Sequence, residues 1–265
     1  MRSRILLFFL LSFLAFKSLA QVNIMGKPGY INTPSANWNT DRPLGITFSH
    51  LPGDYSMFGN EKTDVNFYSF RASLTSFFEV NLSVAHRPAK AEIDKLGVGD
   101  RQLDFRFRLS KEREFLPAIV LGWTPPGSVA PYLTHDYLLA TKNFKTNLGR
   151  LQLTVGFGSP YVFLKKTGSD SYFDLEIKKK SQVNLNAEYL SGFFSAISYS
   201  PVDFAGVMME YDSNSLNGGI YIKPFNWLSL QAHTYEAKAW GFTAGLNLSL
   251  SKSPKSLRAY EDRMD

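Results

Sequence analysis

Between residues 100 and 109 the chain reads DRQLDFRFRL, which puts Leu103, Phe105, Phe107 and Leu109 on one parity and Gln102, Asp104, Arg106 and Arg108 on the other. In an extended strand successive side chains point to opposite faces, so one face is apolar and the other charged. The same alternation recurs in Val80, Leu82 and Val84 against Glu79, Asn81 and Ser83, and in Leu151, Leu153, Val155 and Phe157 against Gln152, Thr154 and Gly156. It returns in Leu228 and Leu230 against Ser229, Gln231 and His233. No segment after residue 20 sustains the 3.6-residue apolar period of a helix. The chain is therefore all-β.

Twelve strands are predicted, at about 44–51, 64–74, 79–87, 100–109, 117–123, 136–143, 150–157, 193–200, 204–212, 216–223, 226–234 and 240–250. Their connections alternate in length, with 4, 7, 6, 3 and 2 residues at the even positions and up to 35 at the odd ones. Alternating long and short connections mark an up-and-down antiparallel transmembrane β-barrel, in which short turns gather at the periplasmic end. Strands 136–143 and 193–200 alternate poorly, and strand 64–74 changes phase near Ser69, where a bulge would restore its faces. Trp123, Tyr137, Phe225, Trp227, Tyr235 and Trp240 lie near strand ends and suit interfacial aromatic girdles.

The chain ends fix the compartment that this reading requires. Arg2 and Arg4 precede an apolar run of twelve residues, Ile5 to Phe16, followed by Ser18-Leu19-Ala20. That run is short of the roughly twenty residues of a spanning helix and reads as a secretory signal peptide, cleaved before Gln21. Removing Arg2, Arg4 and Lys17 takes the net charge from +6 to +3, which gives no reason to expect nucleic acid. The chain has no Cys, so neither disulfides nor thiolate metal sites are available. The last strand carries Thr243, Gly245, Leu248 and Leu250 at polar-x-Gly-x-x-apolar-x-apolar spacing, which reads as an assembly signal for the barrel-assembly machinery. The expected organisation is a signal peptide over 1–20, an N-terminal segment over 21–43, a barrel over 44–250 and a polar tail over 251–265.

Residues 26–36, GKPGYINTPSA, resemble the opening signature of the YjbH-like barrels. The stretches 100–123, 140–144 and 206–230 follow that family's order of elements and extend the likeness over most of the mature chain. The resemblance implies an outer-membrane protein associated with exopolysaccharide and capsule production, with polysaccharide export proteins among its partners. Family members in enteric bacteria are longer, with a second barrel-like half and a lipoprotein Cys that this chain lacks. Physically, Gly26, Gly29 and Pro34 cannot make an ordinary strand. With Tyr30 and Ile31 offering apolar surface, they predict a fixed irregular segment against or inside the periplasmic mouth.

Chemistry is sparse. His50, His86, His135 and His233 show no metal-ligand spacing and read as rim or girdle residues, and no cofactor or metal site is expected. His86 with Ser83 is the pair on which a lipid-modifying acyl hydrolase would rest, and a purely structural or adhesive barrel is a third reading. Lys178, Lys179 and Lys180 fall in the long connection 158–192 beside Asp170, Asp174 and Glu176, where lipopolysaccharide phosphates would attract the lysines. The better hypothesis is the inward set Gln102, Asp104, Arg106, Arg108, Glu210, Gln231 and His233, lining a constricted and internally paired lumen.

Overall fold

The computed structural model describes residues 21–55, 63–88, 99–126, 133–166, 168, 171, 174–183 and 190–250. The expected signal peptide, the tail 251–265 and Asp170 lie outside the described residues. The chain folds as a closed antiparallel barrel of twelve strands. In chain order they begin with β1 (Leu44–Leu51), β2 (Val65–Ser73), β3 (Phe78–His86) and β4 (Asp100–Ser110). β5 (Ala118–Trp123), β6 (Tyr137–Thr146) and β7 (Gly149–Gly158) follow. The ring then continues with β10 (Gly192–Val202), β11 (Ala205–Tyr211), β12 (Leu216–Phe225), β13 (Leu228–Tyr235) and β14 (Ala239–Leu248). β14 pairs β1 from Leu44↔Leu248 to His50↔Phe242, so the strand expected to close the barrel does so. The connection between β7 and β10 holds a separate two-stranded hairpin, β8 (Tyr161–Lys165) with β9 (Leu175–Lys179), where the sequence pattern predicts only a long connection.

Connections 74–77, 111–117, 147–148, 203–204 and 226–227 gather at one end, and 52–64, 87–99, 124–136, 159–191, 212–215 and 236–238 at the other. The ladder slips between β4 and β5 at Arg108/Ser110, between β10 and β11 at Tyr199/Val202, and between β12 and β13 at Ile222/Phe225. All three irregularities sit at the short-turn end, where extra residues tighten the local twist. The bulge expected near Ser69 is not among them. β2 runs in unbroken register with β1 and β3, and its phase change has another cause: Val65 and Phe67 face inward with Ser69 and Arg71, and all four are buried. The interior itself changes from apolar to polar along that strand.

Which face is apolar follows directly from the alternation. Outward positions carry exposed Ile46, Phe70, Leu103, Leu138, Val155, Phe193, Ile220 and Phe242, and large exposed apolar side chains occur on every barrel strand except β13, whose Leu228 and Leu230 are half-buried. Inward positions carry buried Thr47, Asn81, Gln102, Thr154, Ser229 and Thr243. This polarity is the reverse of a soluble barrel, which fills its inside with the apolar set.

Girdle placement holds for some aromatics only. Trp123, Phe225, Trp227 and Trp240 are exposed, and the rings of Phe225 and Trp227 stack 5.2 Å apart at the short-turn end. Tyr137 and Tyr235 instead face the lumen and are buried, because the odd-numbered inward positions of their strands include these end residues.

β6 and β10, the strands that alternate poorly, are apolar on both faces. Their inward Tyr137, Leu139, Phe194 and Ala196 join Val120, Met208 and Tyr221 in one buried cluster inside the barrel. Room for these rings comes from absent side chains on neighbouring strands. A Cβ on Gly122 would lie 2.3 Å from the Tyr137 ring, and one on Gly156 would lie 2.3 Å from Phe194.

Candidate functional site

The lumen is occupied. All residues from Gln21 to Ala36 are buried, and they lie inside the ring as the irregular segment that the glycines and proline foretold. Local turns shape it: Asn23 Oδ1 accepts from the backbone N–H of Met25 and of Lys27, and isolated bridges join Val22 to Pro28 and Gly29 to Pro34. Gly26 has φ +79°, and a Cβ there would stand 2.5 Å from the Ser69 Cβ, so this close approach to β2 requires glycine. The segment reaches farther than the mouth. Trp38 Nε1 donates to the Thr75 carbonyl at the short-turn end, while Asn32 bonds Asp212 and Lys27 meets His135 at the long-loop end.

Three anchors hold it. Lys27 Nζ lies 2.6 Å from Asp104 Oδ2 and 2.7 Å from His135 Nδ1, all three side chains being buried. Burial drives the Lys27 pKa down while Asp104 pulls it back up. Burial and the adjacent Lys27 drive His135 well below its ordinary value, so the imidazole is neutral and its Nδ1 accepts from the ammonium. Thr124 Oγ1 donates to Asp104 at 2.7 Å, which fixes the carboxylate.

The second anchor is Glu210 on β11. Its carboxylate accepts from three consecutive backbone N–H groups, Ile31 at 3.0 Å, Asn32 at 2.7 Å and Thr33 at 2.9 Å. Asn217 supports it at 3.3 Å and also donates to Asp212 at 2.9 Å. Tyr30, on the residue before, sets its hydroxyl against Thr154 Oγ1 at 2.9 Å, and Thr154 meets Thr141 at 2.8 Å.

The third anchor lies nearer the short turns. Arg106 pairs Glu79 on β3 and also donates to the Ser35 carbonyl at 2.6 Å. Elsewhere the wall reaches the segment's backbone carbonyls. Asn81 and Ser83 donate to Met25, at 3.0 and 3.1 Å, and Gln231 donates to Val22 at 2.6 Å.

The structure thus brings six of the seven lumen candidates onto the buried inner face: Gln102, Asp104, Arg106, Glu210, Gln231 and His233, with Arg108 half-buried below them. Asp104, Arg106, Glu210 and Gln231 contact the segment directly; Gln102 supports Asp104 at 3.0 Å, and His233 packs edge-on to Tyr235. Of the signature residues, Gly26, Gly29, Tyr30 and Pro34 are all buried in the lumen. In the closing strand Thr243 and Gly245 face inward, while Leu248 is exposed on the outer face and Leu250 lies past the end of β14. Sequence reasoning missed Lys27, Glu79 and His135 as partners, although the alternation of β3 places Glu79 on the inward face.

Ser83 faces the lumen and bonds Met25, while His86 lies on the opposite, outward face of β3, so the two side chains that the hydrolase alternative needs point apart. The rim placement expected of the histidines fails for two of the four. His135 and His233 are buried inside, and only His50 and His86 stand half-buried at the outer rim. The lysine run divides: Lys178 and Lys179 are exposed, whereas Lys180 is buried and donates to the Thr134 carbonyl at 3.0 Å. Glu176 is taken by Lys178 at 2.6 Å, and among the described residues no group of acids and histidines could hold a metal ion.

Comparison with known protein families places residues 21–263 under the YjbH family model, described as exopolysaccharide biosynthesis protein YbjH. No curated protein matches the chain.

Proposed function

The chain belongs to the YjbH family of exopolysaccharide biosynthesis proteins, and on that premise we propose that it is a non-enzymatic outer-membrane barrel acting in the production, secretion or passage of an extracellular polysaccharide. The observation that carries the location is the inverted polarity: apolar side chains outside, polar ones inside, on a closed ring. Burying the outer apolar set in hydrocarbon is favourable, at roughly 25 cal/mol per Å², and the closed ring leaves no strand edge unpaired in lipid. The short turns then face the periplasm and the longer connections face outward. The N-terminal run reads as the export signal that this location needs. Lipid and lipopolysaccharide would surround the barrel, and the closing β14 would be presented to the barrel-assembly machinery. Capsule or another surface glycan is the product class, with polysaccharide export proteins as the natural partners.

Segment 21–36 lies buried inside the ring, so a sugar chain passing through the ring would have to displace it. Two measurements test the reading. Deletion should abolish or sharply reduce surface polysaccharide, with recovery on re-expression of the wild-type chain; unchanged polysaccharide would overturn the role. Membrane fractionation should recover a heat-modifiable band in the outer membrane, and a soluble periplasmic product would overturn the location.

A further inference from the structure

Charge is distributed unevenly along the lumen. In the half toward the short turns, inward strand positions carry the cations Arg71, Arg106, Arg108, Arg150 and Lys223, and Glu79 is the one carboxylate at an inward strand position among the described residues there. In the turns at this end Asp203 pairs Arg150 at 2.8 Å and Glu112 pairs Lys142 at 3.3 Å, which leaves the arginines around Glu79 as the cationic cluster. These groups are linked. Arg42 Nη1 donates to the Asn247 carbonyl at 3.4 Å and Arg71 Nη2 to Asn247 Oδ1 at 2.7 Å. Glu79 then bridges Arg71, at 3.7 Å, and Arg106. The guanidinium carbons of Arg106 and Arg108 lie 5.4 and 5.0 Å from the Trp38 ring centroid. One carboxylate thus serves two fully buried guanidiniums, and Arg42 and Arg108 add two more with no ion-pair partner among the described residues.

A buried group without a partner asks for an explanation, and the unmet groups of Arg71, Arg106 and Asn39 here are all donors. Arg71 is 1% exposed, yet its Nε and Nη1 make no hydrogen bond, and Arg106 Nε is likewise unpaired. A net positive charge in a site screened from water favours an added anion. The guanidinium fork fits carboxylate or phosphate oxygens. At the same end of the lumen Gln152 donates to Asn37 and Asn143, and Asn143 donates to Glu112, so a polar, hydrogen-bonded patch adjoins the arginines.

We propose that the short-turn mouth, built on Arg42, Arg71, Arg106, Arg108 and Trp38, is a recognition site for an acidic glycan. This inference rests on the polysaccharide role above and names its substrate class as a sugar chain bearing carboxylate or other anionic groups. Arg42 and Arg108, half-buried at the opening, meet the anion first, while the Arg71–Glu79–Arg106 chain supplies the field behind them.

The test uses the full chain purified in a zwitterionic detergent and titrated with oligogalacturonate, with a maltooligosaccharide of equal length as the neutral probe. Oligogalacturonate should bind with an affinity that falls as salt is raised, and the neutral probe should bind at least about tenfold more weakly. The double variant Arg42→Gln/Arg108→Gln should lose about tenfold or more in affinity, while Lys178→Gln/Lys179→Gln at the opposite end should not. Equal binding of both sugars, no binding of either, or an unaltered affinity in the arginine variant would each overturn the site, including the case where an acidic protein is retained in its place. Because binding is read on purified protein, its failure is separate from the deletion phenotype that tests the role itself.

Discussion

The wall made by β1 to β4 with β13 and β14 holds the luminal segment through polar side chains, reaching its carbonyls from Asn81, Ser83, Arg106 and Gln231 and its ammonium from Asp104. The wall made by β5, β6 and β10 to β12 is largely apolar, with Tyr30 and Ile31 joining its buried cluster and Glu210 clamping three backbone N–H groups at its edge. The two walls stabilise one peptide by unlike means. Apolar contact is nondirectional and tolerates small shifts, whereas each wall-to-carbonyl bond specifies one position of the segment. The polar wall therefore sets register, and the apolar wall supplies much of the burial.

Breaking the polar wall should have the largest effect. Asp104→Ala leaves a buried ammonium without its anion and should cost about 3–5 kcal/mol, read as the unfolding midpoint of the heat-modifiable band. Replacing both partners, Lys27→Met with Asp104→Leu, should recover most of that loss; if it does not, the ion pair is more than a matched buried charge. At the edge of the apolar wall, Glu210→Ala removes the acceptor of three N–H groups and should cost about 2–4 kcal/mol. Protease sensitivity within residues 21–36 should rise with it, and unchanged protection would show that the apolar cluster alone retains the segment.

A pH series sharpens the comparison. His135 is held neutral in the fold, its pKa well below 6.5, by burial and by Lys27. Below about pH 6.5 the unfolded chain binds a proton that the folded one refuses, so stability falls as pH falls, by at most about 1.4 kcal/mol per unit. The difference between wild type and His135→Gln should carry that slope as pH falls below about 6.5, and parallel curves would remove His135 from the account. The smallest effect belongs to Tyr30→Phe, which keeps the ring and loses the bond to Thr154. It should cost about 1 kcal/mol in the same midpoint.

How legible this was in the sequence differs between the walls for the same reason. β4 could be read directly, since Asp104 and Arg106 alternate with Leu103 and Phe105, and the polar wall keeps that contrast except near the long loops on β1 to β3, where Leu51, Val65, Phe67 and Ala85 turn inward. β6 and β10 were faint because Leu138 and Leu139, or Phe193 and Phe194, are apolar on both faces, one toward the outside and one toward Tyr30 and Ile31. Val65 and Phe67 misled in the same way and suggested a bulge where the interior had only changed character. The site was half legible. Parity gave the lining residues, and the Gly26 to Pro34 pattern gave a fixed segment, but no periodicity could pair Lys27 with His135 across 108 positions. The β8–β9 hairpin is not signalled because Tyr161 to Leu164 are apolar on both parities, and short strands in a long connection carry little pattern.

The bond from Gln231 to the Val22 carbonyl spans 209 positions, and the seam that shuts the ring joins β1 to β14. A chain made from its N-terminus therefore holds Val22 without this luminal partner until nearly the last hairpin has arrived. Closing the wall and seating the segment are then completed together, and the peptide that fills the barrel is also the form around which it is cast.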